Sequence, residues 1–286
     1  MSIASLSALQ TLQGEAQRIS VRRVSGSLLR RWGKLIDTWE MTGYPDAGTY
    51  PTASLAGSAL DKSSTGAIPF RAAGAGQQLY LGGAQISHQL LSNSSITSEI
   101  ILVHVFDRLW HNGAIANSVT SRQSWSPPAI TRYVSGEGVS LWLRWVASGS
   151  GTTTTTLTLE YTNQSGTATS TTAVIRQGSD GMSSPGDVWP LPLAAGDTGI
   201  RELTASRASN SGSAGSYGFM LCKYLGTFVA KPTSTPQGMT SFLRGLPAIH
   251  NDACLCFALQ SCPAPTNTDS NTVRYNLSAE LSLIEG

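Results

Sequence analysis

The sequence predicts an all-β protein: a jelly-roll-like antiparallel β-sandwich preceded by an N-terminal helix and an extended arm. Three observations lead there. From Ile96 to Gly226, blocks of alternating residues rich in Thr, Val, Tyr and Trp are cut by Gly, Ser, Asn and Pro turns at short intervals, the pattern of a sandwich or barrel. The chain has 286 residues, enough for one large sandwich and an extension, whereas two equal domains fit less well. Only 13% of residues are charged while Ser and Thr together number 68, so hydroxyls and amides take over the solubilising role that charges, about 25% of an average chain, usually fill.

The division follows the pattern, with residues 1–66 as helix and arm and residues 67–286 as the sandwich. Leu6, Leu9, Gln13 and Ala16 fall on one side of a helix spanning Ser2 to Arg18, with Ser5 as its N-cap. Residues 19–66 set Trp32, Trp39, Tyr44 and Tyr50 among turn clusters such as 43–48 and 61–66, as in an arm lying on a surface, either its own body or a neighbouring subunit. Residues 77–91 read as a hairpin broken at Gly82 and Gly83. The segment ILVHVFDRLW (101–110) is apolar on both faces, and LWLRWV (141–146) repeats this. Such strands need cover on both sides, from the same chain or from another subunit.

Further strands are expected at 153–163, 167–176, 188–193, 199–208, 216–225, 252–260 and 272–284, with Pro190 and Pro192 confining the 188–193 stretch to an edge or connector. The turn-rich segment 226–252 is long for a loop; it is either a contact loop for a partner or an excursion packed on its own sandwich.

Charge is unevenly placed. Arg18, Arg22, Arg23, Arg30, Arg31 and Lys34 form a basic arm without an acid, leaving 13 basic and 17 acidic residues elsewhere. With Trp32, Trp39 and Tyr44 this arm is the candidate interface, set against a plain solvated face. No aromatic-basic interleaving extends beyond Trp32, so specific nucleic-acid binding is not expected. The N-terminus has no apolar core of a signal peptide, and no run of about 18 apolar residues could span a bilayer, so a protein made and kept in a cytoplasm, away from membranes, is expected.

The constellations that carry chemistry are weak. His250, Cys254, Cys256 and Cys262 give H-x3-C-x-C-x5-C, but one residue between paired cysteines in an apolar strand suits packing better than a tetrahedral ion. Cys222 could approach the others across a sheet. His104 reads as a core histidine. Asp107, Glu137, Asp180, Asp187 and Asp197 could supply a carboxylate pair, yet they stand at turn boundaries, where such residues cap the chain. No nucleophile elbow, P-loop or dinucleotide fingerprint occurs. No enzyme, metal or cofactor is therefore expected. Trp110, Trp125, Trp142, Trp145 and Trp189 could form a glycan platform, or they could be core.

The order of the blocks FDRLWHNGAIA (106–116), SPPAITRYVSGEGVSLWLRW (126–145), LEYTNQSGTA (159–168), LPLAAGDTGIREL (191–203) and SYGFMLCKYLG (216–226), after TWEMTGYPDAGTYP (38–51), resembles a group of tailed-bacteriophage virion structural proteins. The resemblance covers about residues 1–226 and stops before the cysteine cluster. It implies a capsid decoration or cement protein, assembled in the bacterial cytoplasm and bound to the major capsid protein and to copies of itself as a dimer or trimer. The alternatives are a neck, collar or tail component, and a glycan- or receptor-binding sandwich.

Overall fold

The structure, a computed structural model, describes residues 14–24, 28–29, 35–52, 55–90, 100–113, 115–150, 154–176, 184–212, 214–230, 237–239, 246–262, 272–273 and 275–286. The expected N-terminal helix lies almost wholly outside them. Its last two residues are already extended, because the strand Gln17–Val24 begins there, with Ile19, Val21 and Arg23 buried and Arg18, Ser20 and Arg22 exposed.

All strand pairings are antiparallel, and the centre is a closed barrel. Ile100–His111 pairs with Leu255–Cys262, which pairs with Leu35–Asp37, then Asp187–Leu191, Val139–Ser150 and Ala214–Ala230, and this last strand returns to Ile100–His111. Closure removes the edges of six strands at once.

Two more sheets pack on different stretches of the barrel wall. The terminal sheet joins Leu79–Leu90, Tyr275–Glu285, Gln17–Val24 and Thr42–Tyr44. It buries Leu81, Ile86 and Leu281 against Val103, Val105 and Phe257 of the wall. The threonine-rich sheet joins Ala168–Arg176, Thr154–Asn163, Ile200–Ala208 and Gln123–Ser124. It buries Leu157, Leu159 and Tyr161 against Leu141, Leu143 and Phe219. The strand Ala214–Ala230 serves both interfaces: Tyr217, Phe219 and Leu221 meet the threonine-rich sheet, and Leu225 and Phe228 meet the terminal sheet. Its pairing with Ile100–His111 shifts register between Leu221 and Cys222 and between Tyr224 and Gly226. Such bulges re-aim side chains and tighten the twist.

The doubly apolar strands thus find both covers within the chain. One face lines the barrel interior and the other meets a flanking sheet. The arm also lies on its own body, since Leu35–Asp37 closes the barrel and Gln17–Val24 sits between two strands of the terminal sheet. Part of the 226–252 segment does likewise, with Gln237–Met239 and Ala248–Ile249 both pairing to Leu79–Leu90.

Two local expectations are corrected. Gly82 and Gly83 do not break a hairpin; Leu79–Leu90 runs straight through them, opposite a register shift between Ser282 and Leu283. A Cβ at Gly82 would come within 2.4 Å of Ile284 Cδ1, so the glycine makes room for that side chain. Pro190 is not on an edge strand: Asp187–Leu191 pairs with Val139–Ser150 on one side and, at Asp187 and Val188, with Leu35–Asp37 on the other, the residues before Leu35 lying outside the described ones.

Candidate functional site

Alternation along the barrel strands decides what points inward. In Ile100–His111, Val103 and Val105 face the terminal sheet, while Phe106 turns into the barrel with Met220, Cys222, Cys256 and Ala258. The interior therefore has an apolar waist, and polar groups gather at either end of it.

At one end the charges are closed in. Arg108 donates from Nη2 to Asp37 Oδ1 at 2.6 Å and from Nη1 to the Tyr50 hydroxyl at 2.7 Å, and that hydroxyl donates to Asp37 Oδ2 at 2.7 Å. Arg144 Nε stands 3.3 Å from Asp37 Oδ2, and its Nη2 donates to Glu40. The guanidinium of Arg108 lies over the Trp39 ring at 4.6 Å, and that of Arg144 over Tyr50 at 3.8 Å, adding cation–π attraction in a dry setting. Burial opposes ionisation of Asp37, but Arg108 and Arg144 outweigh it and hold its carboxyl below the ordinary range. His111, beside the Tyr50 ring at 4.6 Å, is pushed down to about 3, by burial first and by Arg108 next.

At the other end the described groups carry no formal charge and one ring reaches solvent. The Phe106 ring meets Trp142 at 5.3 Å and Tyr224 at 5.7 Å, both edge to face. Tyr224 is 49% exposed. His104 holds Thr227 Oγ1 at 2.7 Å through Nδ1 and Gln260 Oε1 at 3.1 Å through Nε2. The Tyr224 hydroxyl lies 2.6 Å from the same Thr227 oxygen, and Trp142 Nε1 donates to Ser140 Oγ at 2.8 Å. Burial lowers the pKa of His104, keeping the ring neutral.

The residues singled out from sequence disperse. Arg23 and Trp39 are corrected from interface to interior: each is buried and uses its polar atoms inside the chain. Arg23 clamps the carbonyls of Met41, Pro45 and Gly66 at 3.0, 2.6 and 2.7 Å. Trp39 donates to Thr49 O at 3.2 Å and packs so closely on Gly48 that a Cβ there would come within 2.3 Å of its ring. Arg18 is exposed, 3.7 Å from Glu280. Arg22 and the 57%-exposed Tyr44 come together as a cross-strand pair beside an open groove of about 340 Å³ on the outer face of the terminal sheet. Arg30, Arg31, Trp32 and Lys34 lie outside the described residues.

The carboxylates do not pair with one another. Asp107 is buried and held by Arg132 at 2.8 and 3.0 Å and by the Cys254 amide at 2.8 Å. Asp187 accepts from the Ser184 amide, Asp197 from Tyr161 and Asn163, and Glu137 from Thr198; Asp180 lies outside the described residues. Cys222, Cys254 and Cys256 are buried free thiols whose pKa burial raises, to about 11 for Cys256, which makes them poor nucleophiles. The Cys262 side chain is not among those described, and His250 is exposed. Among the described residues no group of three His, Cys, Asp or Glu is placed to hold a metal ion. Of the tryptophans, Trp110, Trp125 and Trp145 are core, while Trp142 and Trp189 keep partial exposure. Tyr224 was not among the residues singled out from sequence, although it continues the alternation of Met220 and Cys222.

No family model matches the chain, and no curated protein matches its sequence. Among solved structures it is similar to the chain of the infectious bursal virus derived T=1 particles, at 11% identity and a TM-score of 0.19, over 95% of this chain and 79% of that one. The T13 infectious bursal disease virus particle matches at 10% identity and 0.19, over 98% and 86%. Its VP2 subviral particle matches at 12% and 0.19, over 95% and 80%. TM-scores this low carry no argument about fold or function.

Proposed function

We propose that the protein is a non-enzymatic structural component of a tailed-bacteriophage particle, one that binds the outer surface of the capsid and reinforces it through contacts with the major capsid protein and with copies of itself, as a dimer or trimer. The observation that carries this reading is the ordered block series from residue 38 to residue 226. The geometry is compatible with a mechanical role. A barrel braced on two sides is stiff, its buried Asp37 and Asp107 are committed to arginines, and its outer faces are rich in hydroxyls. Many weak contacts repeated over a lattice add up to tight retention.

The exposed part of the predicted interface, Arg18, Arg22 and Tyr44, is the side offered to the capsid. Self-association has a separate candidate in Ala168–Arg176. This strand pairs on one side with Thr154–Asn163, its other edge has no partner among the described residues, it is uncharged from Ala168 to Ile175, and Val174 is 70% exposed. Such an edge is a template for another strand.

Quantitative mass spectrometry of purified particles tests the reading. A copy number that scales with the major capsid protein is expected; a low fixed number would move the protein to the neck, collar or tail. A variant carrying Arg22→Glu and Tyr44→Ala should lose binding to capsids lacking the protein while melting as the parent does, and undiminished binding would remove this face from the proposal. Val174→Lys should shift the oligomer toward monomer in sedimentation, because a charge on an edge opposes strand addition.

A further inference from the structure

We propose that the mouth of the barrel, around Trp142, Tyr224, His104, Thr227 and Gln260, is a binding site for a neutral saccharide. This does not depend on the particle role proposed above.

The hydrogen-bond directions carry the argument. The amide oxygen of Gln260 can only accept, so His104 Nε2 donates to it and Nδ1, in the neutral ring, accepts from the Thr227 hydroxyl. The Thr227 proton being used, its oxygen accepts from the Tyr224 hydroxyl. The relay therefore runs one way, from Tyr224 through Thr227 and His104 to Gln260, and leaves the Tyr224 oxygen with lone pairs to accept from a ligand hydroxyl. The Tyr224 ring stands half exposed at the opening, and the partly exposed Trp142 faces it across Phe106. Two aromatic faces beside a fixed set of neutral hydroxyl and amide groups match a pyranose ring, which presents C–H faces and a rim of hydroxyls.

Other ligand classes fit less well. Both nitrogens of His104 are occupied, so it offers no lone pair to a metal ion. Among the described residues of the lining none carries a formal charge, whereas a charged ligand would need a counter-charge, and Asp37, Arg108 and Arg144 are spent on each other beyond the waist. A purely apolar ligand would leave the polar relay without solvent.

The test uses the full chain and three probes, maltotriose, cellotriose and chitotriose, followed by tryptophan fluorescence and titration calorimetry. At least one trisaccharide should bind and perturb the emission. Tyr224→Ala should weaken that binding by about tenfold, equivalent to about 1.4 kcal/mol, while its Tm stays within about 2 °C of the parent, since a half-exposed ring contributes little to the core. Trp142→Phe should abolish the emission change, and Trp189→Phe, on the other side of the wall, should leave it intact. Failure of all three sugars to bind, binding of an apolar dye with no sugar bound, or undiminished affinity in Tyr224→Ala would each overturn the proposal.

Discussion

The two ends of the barrel are built from the same strands, often two residues apart, and they handle polarity in opposite ways. Phe106 precedes Arg108, Trp142 precedes Arg144, and Cys222 precedes Tyr224, yet Arg108 and Arg144 are sealed in ion pairs while Trp142 and Tyr224 look out through an open mouth. What separates the ends is the segment 35–50. It delivers Asp37, Trp39, Glu40 and Tyr50 to the closed end, so the guanidiniums there have a counter-charge, a hydroxyl and two ring faces. At the other end no such plug stands among the described residues, and the groups there need no counter-charge. At the closed end buried charge is tolerated because one stretch of chain supplies its partners together.

The largest effect that would break this contrast is Asp37→Ala. It leaves Arg108 and Arg144 without their shared carboxylate, and denaturant unfolding should show a loss of about 3–5 kcal/mol. A loss near zero would mean that water reaches the closed end. Acid comes next. The imidazoles of His111 and His88 are held neutral by burial, at about 3 and about 4, whereas in the unfolded chain they protonate near 6.5. Below about pH 6.5 the unfolded state therefore binds protons that the folded state refuses, so stability falls with pH, by about 1.4 kcal/mol per histidine near pH 5.5. His111→Asn should flatten the dependence of Tm on pH between about 6.5 and 5; an unchanged slope would place the acid sensitivity elsewhere. The smallest effect belongs to the mouth: Tyr224→Ala should alter unfolding free energy by less than about 0.5 kcal/mol, and a larger loss would show the opening to be closed in solution.

Much of this was legible in the sequence where alternation was clean. The strands at 101–110 and 141–146 showed two apolar faces, and the structure confirms both, as the inside and outside of a barrel wall. Their covers were not legible, because Leu79–Leu90 and Tyr275–Glu285 reach the wall by topology, from opposite parts of the chain. The fates of Arg23, Arg108 and Arg144 were hidden for a related reason. Arginine is an exposed residue by habit, and the partner that makes Arg108 internal, Asp37, lies 71 positions away. At Gly82 and Gly83 a local turn signal competed with Ile284, a neighbour no window of sequence contains, and the neighbour won.

The pairing of Gln17–Val24 with Tyr275–Glu285 has a consequence for biosynthesis. The two strands are separated by almost the whole chain, so while residues 275–285 remain in the ribosome, Ile19, Val21 and the apolar face of Leu79–Leu90 await their central partner. Loop-closure entropy makes so distant a pairing slow, and an unzipped sheet exposes strand edges to other nascent copies. Completion of this sheet therefore waits on the last of its strands to be made.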